Sequence, residues 1–172
     1  MAPNRGQVAW DAACTQGFSR GQLVLAQEML RQLVTQRFGE VSEALWQSID
    51  WATDVDGLTT VALQVFHVAT PQDLRLAPGA GGTTTARSQL TAMAAVVGGP
   101  LVDILADVGW EMGYAEGELA MARRLLRQLL ADRFGNVHEV DVQRIESATD
   151  VKVLTRAVLQ AYCIAAPKYL QL

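Results

Sequence analysis

Cysteine is nearly absent: Cys14 and Cys163 are the only two in 172 residues, with no CxxC and no secreted-type disulfide framework. Histidine is as scarce. His67 and His138 stand in neither an HExxH pattern nor a Cys/His cluster, so no metal site is expected. There is no GxxxxGK[ST] loop for phosphate, no GxGxxG after a strand and no serine or cysteine in a recognisable nucleophile setting. No catalytic residue and no cofactor are therefore expected. The most apolar stretch, residues 90–102, is too short to cross a bilayer and is followed by Asp103, and the opening residues lack the apolar run of a signal peptide. A cytoplasmic protein with no membrane partner is the expectation. A large charge of one sign is missing too. Fourteen basic and 18 acidic residues leave a formal net charge of -4, so the whole molecule does not attract nucleic acid.

What the chain does contain is itself, twice. Sliding the sequence by 96 positions superposes residues 17–74 on 113–170 without a gap, and 24 of the 53 positions from Gln22 to Leu74 are identical. Each copy reads as a long amphipathic helix, a break at Arg37-Phe38-Gly39 or Arg133-Phe134-Gly135, a short helix, an Ala-Thr-Asp hinge and a third helix that runs toward Pro71 or Pro167. The expected fold is all-α, a compact bundle of two three-helix repeats related by a pseudo-twofold. Residues 1–76 would hold the first repeat and its N-terminal extension, 77–86 a flexible linker, and 87–172 a preceding helix and the second repeat.

Local signals support this division. Leu23, Ala26, Leu30 and Leu33 follow helical spacing, and Leu119, Ala122, Leu126 and Leu129 repeat it. Ala13, Gly17 and Gly21, with Gly109, Gly113 and Gly117, recur every fourth residue and lay a smooth stripe along one helix face. Interior glycine costs about 1 kcal/mol against alanine, so the stripe makes sense only where two backbones pack closely. Ser42 and the aspartates Asp54 and Asp150 are placed to cap helices, and Thr70-Pro71-Gln72-Asp73 has the order of a capped turn. Tyr169 and Leu170 are expected to fold back as a clasp. The inward faces of the short helices are traced by Leu45, Trp46, Ile49 and Ala52, then by Val55, Leu58, Ala62, Phe66 and Ala69.

Polar residues common to both copies, such as Arg31 with Arg127 and Asp54 with Asp150, read as helix-end and cap chemistry. Two groups differ between the copies in whole or in part. Trp46, Trp51 and Trp110 have no tryptophan counterpart in the other copy and are candidate partner anchors. Arg123, Arg124 and Arg127, with Arg133, make the second long helix basic where the first has Gln27 and Glu28, a candidate nucleic-acid contact without the aromatic series that usually accompanies one.

The run Gly117-Glu118-Leu119-Ala120-Met121-Ala122-Arg123-Arg124-Leu125-Leu126-Arg127 through Asp132-Arg133-Phe134-Gly135, followed by Glu139, Ile145, Ala148 and Leu154, resembles the small helical domain of unknown function 4351. The first copy carries the same outline in Met29-Leu30-Arg31, Arg37-Phe38-Gly39, Ile49, Ala52 and Leu58. That domain often ends larger bacterial proteins resembling Rpn-type transposases or PD-(D/E)XK nucleases. The nuclease portion has no counterpart in this sequence, so the resemblance implies an association or regulatory module and no activity. The functional expectation is a non-catalytic interaction, assembly or regulatory module that binds a protein partner or a second copy, with nucleic-acid association through Arg123 to Arg133 as the alternative and an uncharacterised enzyme as a distant one.

Overall fold

Each copy ends its long helix at the same point, because Gly39 and Gly135 both take a φ of 73°, a left-handed backbone that side chains disfavour. Their N–H groups donate to Thr35 O and Ala131 O, each at 2.9 Å, closing the last turn. The computed structural model describes residues 5–76, 100–135, 137–164 and 166–170. In them the chain forms α1 (Arg5–Phe38), α2 (Glu43–Trp51), α3 (Val55–Gln64), α4 (Pro100–Phe134), α5 (Glu139–Ser147) and α6 (Val151–Ala161), with 3-10 turns at Pro71–Asp73 and Pro167–Tyr169. No strand occurs among the described residues. The fold is all-α, two three-helix units in pseudo-symmetric association. The expected linker (77–86), the start of the helix expected to precede the second repeat and most of the apolar stretch 90–102 lie outside the described residues.

The aspartate caps form in both copies: the Asp54 carboxylate accepts from Asp56 N–H at 3.0 Å and that of Asp150 from Lys152 N–H at 2.8 Å. Ser42 departs from expectation. It sits at the N-cap of α2, yet its hydroxyl makes no capping bond, and neither does the His138 side chain at α5. Glu43 and Glu139 in the first turns complement the helix ends instead. The third helices also stop earlier than the prolines suggest. Phe66 N–H bonds Leu63 O and Tyr162 N–H bonds Leu159 O, tighter three-residue steps that end α3 and α6 near Gln64 and Ala161. Phe66 and Tyr162 are repeat equivalents, and their rings meet with centroids 5.3 Å apart. Beyond them Ala69 is exposed and not part of the buried side, and of the expected clasp Leu170 is buried whereas Tyr169 is exposed.

Glycine decides how the two units join. A Cβ at Gly17 would strike the Trp110 backbone, one at Gly21 the Tyr114 backbone, one at Gly113 the Cys14 carbonyl and one at Gly117 the Phe18 carbonyl. Contact positions rise together along both helices, so α1 and α4 lie parallel. The pairing is also reciprocal, since residue 14 meets 113 as 17 meets 110, which is the signature of a twofold interface built inside one chain. Backbones this close gain dispersion and Cα–H···O contacts that a side chain would prevent.

C-terminal to the glycines the helices share one core. Met29, Leu30, Leu33 and Ile49 of the first unit and Met121, Leu126, Leu129 and Ile145 of the second are fully buried in a single cluster, together with Leu58 and Leu154. Burying each such side chain contributes about 1.5–3 kcal/mol.

Gly117→Ala sets the helix-propensity gain of about 1 kcal/mol against a backbone overlap, and overpacking of this kind costs about 1–3 kcal/mol. Gly113→Ala and Gly117→Ala are each expected to lower the urea midpoint. Gly109→Ala, whose Cβ would lie 3.2 Å from Trp10 O and otherwise meet side chains, should leave it within error or raise it slightly.

Candidate interaction surface

The clustered arginines of α4 each find an acceptor inside the protein. Arg123 donates to Ala148 O through Nε (3.2 Å) and Nη2 (2.8 Å), closing the end of α5 as Gln27 closes α2 by donating to Ala52 O at 2.9 Å. Arg124 bonds Asp56 of the other unit at 2.5 Å. Arg127 pairs with Glu146 at 2.9 Å, the counterpart of Arg31 with Asp50. Arg37 of the signature crosses to the Tyr162 hydroxyl at 2.9 Å. Its mate Arg133 donates instead to Ala161 O of its own unit; the repeat equivalent of Tyr162 is Phe66, which has no hydroxyl to offer. Phe38 and Phe134 are half-buried against the core, each under its neighbouring arginine. The signature therefore fastens the end of the long helices.

The tryptophans do not gather. Trp46 is half-buried with the Arg31 guanidinium 5.5 Å from its ring centre, and Trp51 at the end of α2 is 68% exposed. Trp110 packs on Ala13 and Ala106 in a second, small cluster. That cluster marks a distinct region. The main core begins at Leu23 on α1 and at Leu119 on α4, and before those points the two helices hold each other through the glycines and through Ala13, Ala106 and Trp110. We call this parallel pair the stalk.

The stalk carries most of the large exposed apolar side chains. Ile104, Leu105, Val108 and Met112 of α4 are between 40% and 58% exposed, and Val8 of α1 is 48% exposed. Buried Ala106, Gly109, Gly113 and Gly117 turn toward α1, so on a helix of 3.6 residues per turn Leu105, Val108 and Met112 turn away from it. Sequence reasoning singled out the tryptophans and passed over these residues. Their signal was present: Leu105, Val108, Met112, Ala115 and Leu119 are spaced three and four apart, a second apolar seam on a helix that already has one. Beside it an open groove of about 380 Å³ is lined by Gly6, Gln7, Trp10 and Leu105.

The electrostatics of the stalk are acidic. Burial raises the Cys14 thiol pKa, with the nearby carboxylates of Glu116 and Asp11 adding to it, so this thiol is held in its neutral form. Burial likewise raises Tyr114, and Glu118 beside it adds to the effect. On the body, His67 lies 2.6 Å from Asp132 at the surface, in the place where the other copy sets Cys163 3.9 Å from Gln36. A second open groove, of about 530 Å³, is lined by Glu28, Arg31, Gln32, Thr35, Gln36 and Leu159. Among the described residues no group of three His, Cys, Asp or Glu is placed to hold a metal ion, and no helix is long and apolar enough to cross a membrane. No family model, curated protein or solved structure matches the chain.

The two kinds of arginine predict different costs. Arg123→Ala removes the donors that satisfy the Ala148 carbonyl and is expected to cost about 1 kcal/mol in urea unfolding. Arg127→Ala, which breaks an exposed ion pair, is expected to cost under about 1 kcal/mol, and that cost should shrink in high salt.

Proposed function

We propose that the protein is a non-catalytic interaction or assembly module whose docking surface is the outward face of the stalk. The observation that carries this reading is the concentration of Ile104, Leu105, Val108 and Met112 on one side of α4, where no other described helix covers them. Burying such side chains against a partner stabilises a complex through the same apolar transfer that builds the core, and contiguous exposed apolar surface marks interaction sites. The body of the molecule supplies a rigid base. Its ion pairs and helix-end contacts engage the arginines that a nucleic-acid contact would need, which weighs toward a protein partner or a second copy.

The resemblance of both copies to a domain found at the ends of larger bacterial proteins supports the same role, that of an accessory unit, in the cytoplasm of a bacterium.

Affinity capture from native extract, with and without nuclease treatment, tests the reading. A partner retained after nuclease and lost with the double variant Leu105→Asp/Met112→Asp is the expected result. Recovery of DNA or RNA alone, abolished by Arg123→Ala/Arg124→Ala, would replace it with the nucleic-acid alternative.

A further inference from the structure

The outward seam of α4 has the spacing of a coiled-coil face. Taking Leu105 as position a of a heptad places Val108 at d, Met112 at a, Ala115 at d and Leu119 at a. The first four are exposed, while Leu119 packs against the main core, so the seam begins on the free stalk and runs into the body. The equivalent positions of α1 are Ala9, Ala12, Gln16, Ser19 and Leu23, which are small or polar until the core begins. Internal symmetry therefore does not account for the seam. A helix that keeps two apolar faces, one spent on α1 and one facing outward, is built for a second helical neighbour.

Charge identifies the class of that neighbour. From Pro100 to Leu119, α4 carries Asp103, Asp107, Glu111, Glu116 and Glu118 and no lysine or arginine. Adding Asp11 against Arg5 and Arg20 of α1 puts a formal charge of -4 on the stalk, equal to that of the whole chain. Glu111 and Glu118 occupy g positions of the heptad and Glu116 an e position, the places that set partner choice in coiled coils. A second copy docked on the same seam would bring these carboxylates against carboxylates, and like-charge juxtaposition across an interface disfavours that pairing. A partner with lysine or arginine beside its apolar stripe meets no such penalty.

We infer that the outward seam of α4, Leu105–Val108–Met112–Ala115, is a docking site for a basic amphipathic helix of another protein. This rests on the reading of the stalk as a protein-docking surface and adds the chemistry of what docks there. The partner lays an a/d stripe of Leu, Ile or Met along the seam and sets cationic side chains beside Glu111 and Glu116, which flank it. Its affinity falls with ionic strength because these carboxylates are exposed.

Two labelled peptides of about three heptads test the class, both with leucine at a and d, one with lysine and the other with glutamate at e and g. Fluorescence anisotropy against the full chain should show the lysine peptide binding at least about tenfold more tightly than the glutamate peptide, with the advantage reduced in high salt. Leu105→Asp/Met112→Asp should abolish binding, and Glu111→Lys/Glu116→Lys, which alters exposed side chains only, should shift the preference toward the glutamate peptide. Circular dichroism melts confirm that both variants are folded. No binding, or equal binding of the two peptides, overturns the assignment; if partner capture still depends on Leu105 and Met112, the docking reading survives and only the partner class is wrong. A doubled mass in sedimentation that Leu105→Asp/Met112→Asp returns to the monomer would assign the seam to a second copy and overturn the proposal as well.

Discussion

Everything in this protein hangs on two helical backbones touching. Gly17 and Gly21 on α1 meet α4, and Gly113 and Gly117 on α4 meet α1, so that main-chain atoms take the space where side chains would stand. Four interior glycines weaken both helices by about 1 kcal/mol each, and the loss is recovered only if the helices lie together in this register. The register in turn makes the helices parallel. Parallel long helices place the short helices of each copy at the same end, where one core forms from both units and the equivalent rings of Phe66 and Tyr162 meet. Among the described residues, the opposite end is a pair of helices without the short ones.

The contrast between the two ends is the structural basis of the functional reading. At the body end, polar groups are matched in duplicate: Arg31 with Asp50 and Arg127 with Glu146, Gln27 and Arg123 on the ends of α2 and α5. Where the copies have drifted, the contacts changed with them. Arg124 meets Asp56, whereas the equivalent positions hold Glu28 and Lys152, residues of the opposite charge at each place. At the stalk end, drift went another way. Only α4 carries the apolar seam and the run of carboxylates, so the two copies share one fold with two unlike outer faces.

The fold was largely legible, because the repeat, the glycine stripe and the aspartate caps are local patterns with one physical meaning each. The misread details are those set by tertiary contact. Ser42 stands where a cap belongs, but its hydroxyl is not turned to the N–H groups it could satisfy. The third helices end where the chain tightens beside Phe66 and Tyr162, not at the next proline, and no periodicity records that. The basic run on α4 looked like a surface because its acceptors lie 19 to 25 residues onward in sequence for Arg127 and Arg123, and across the repeat for Arg124. The seam was harder to see for a different reason. A helix with apolar residues on two faces does not declare which face is covered until its neighbour is placed, and only the position of α1 shows that Leu105, Val108 and Met112 turn outward.

Parallel packing of α1 and α4 is the claim on which the shared core, the stalk and its free seam all depend. The most direct measurement is a spin-label distance between Gln7 and Asp103, two exposed repeat-equivalent positions near the starts of the two helices, in a chain with both native cysteines replaced by serine. Parallel helices in contact place the labels within about 20–25 Å, since adjacent helix axes lie about 8–10 Å apart and the labels add their own reach. Antiparallel helices of this length would separate them by about 45 Å, at 1.5 Å per residue, and a distance in that range would contradict the account.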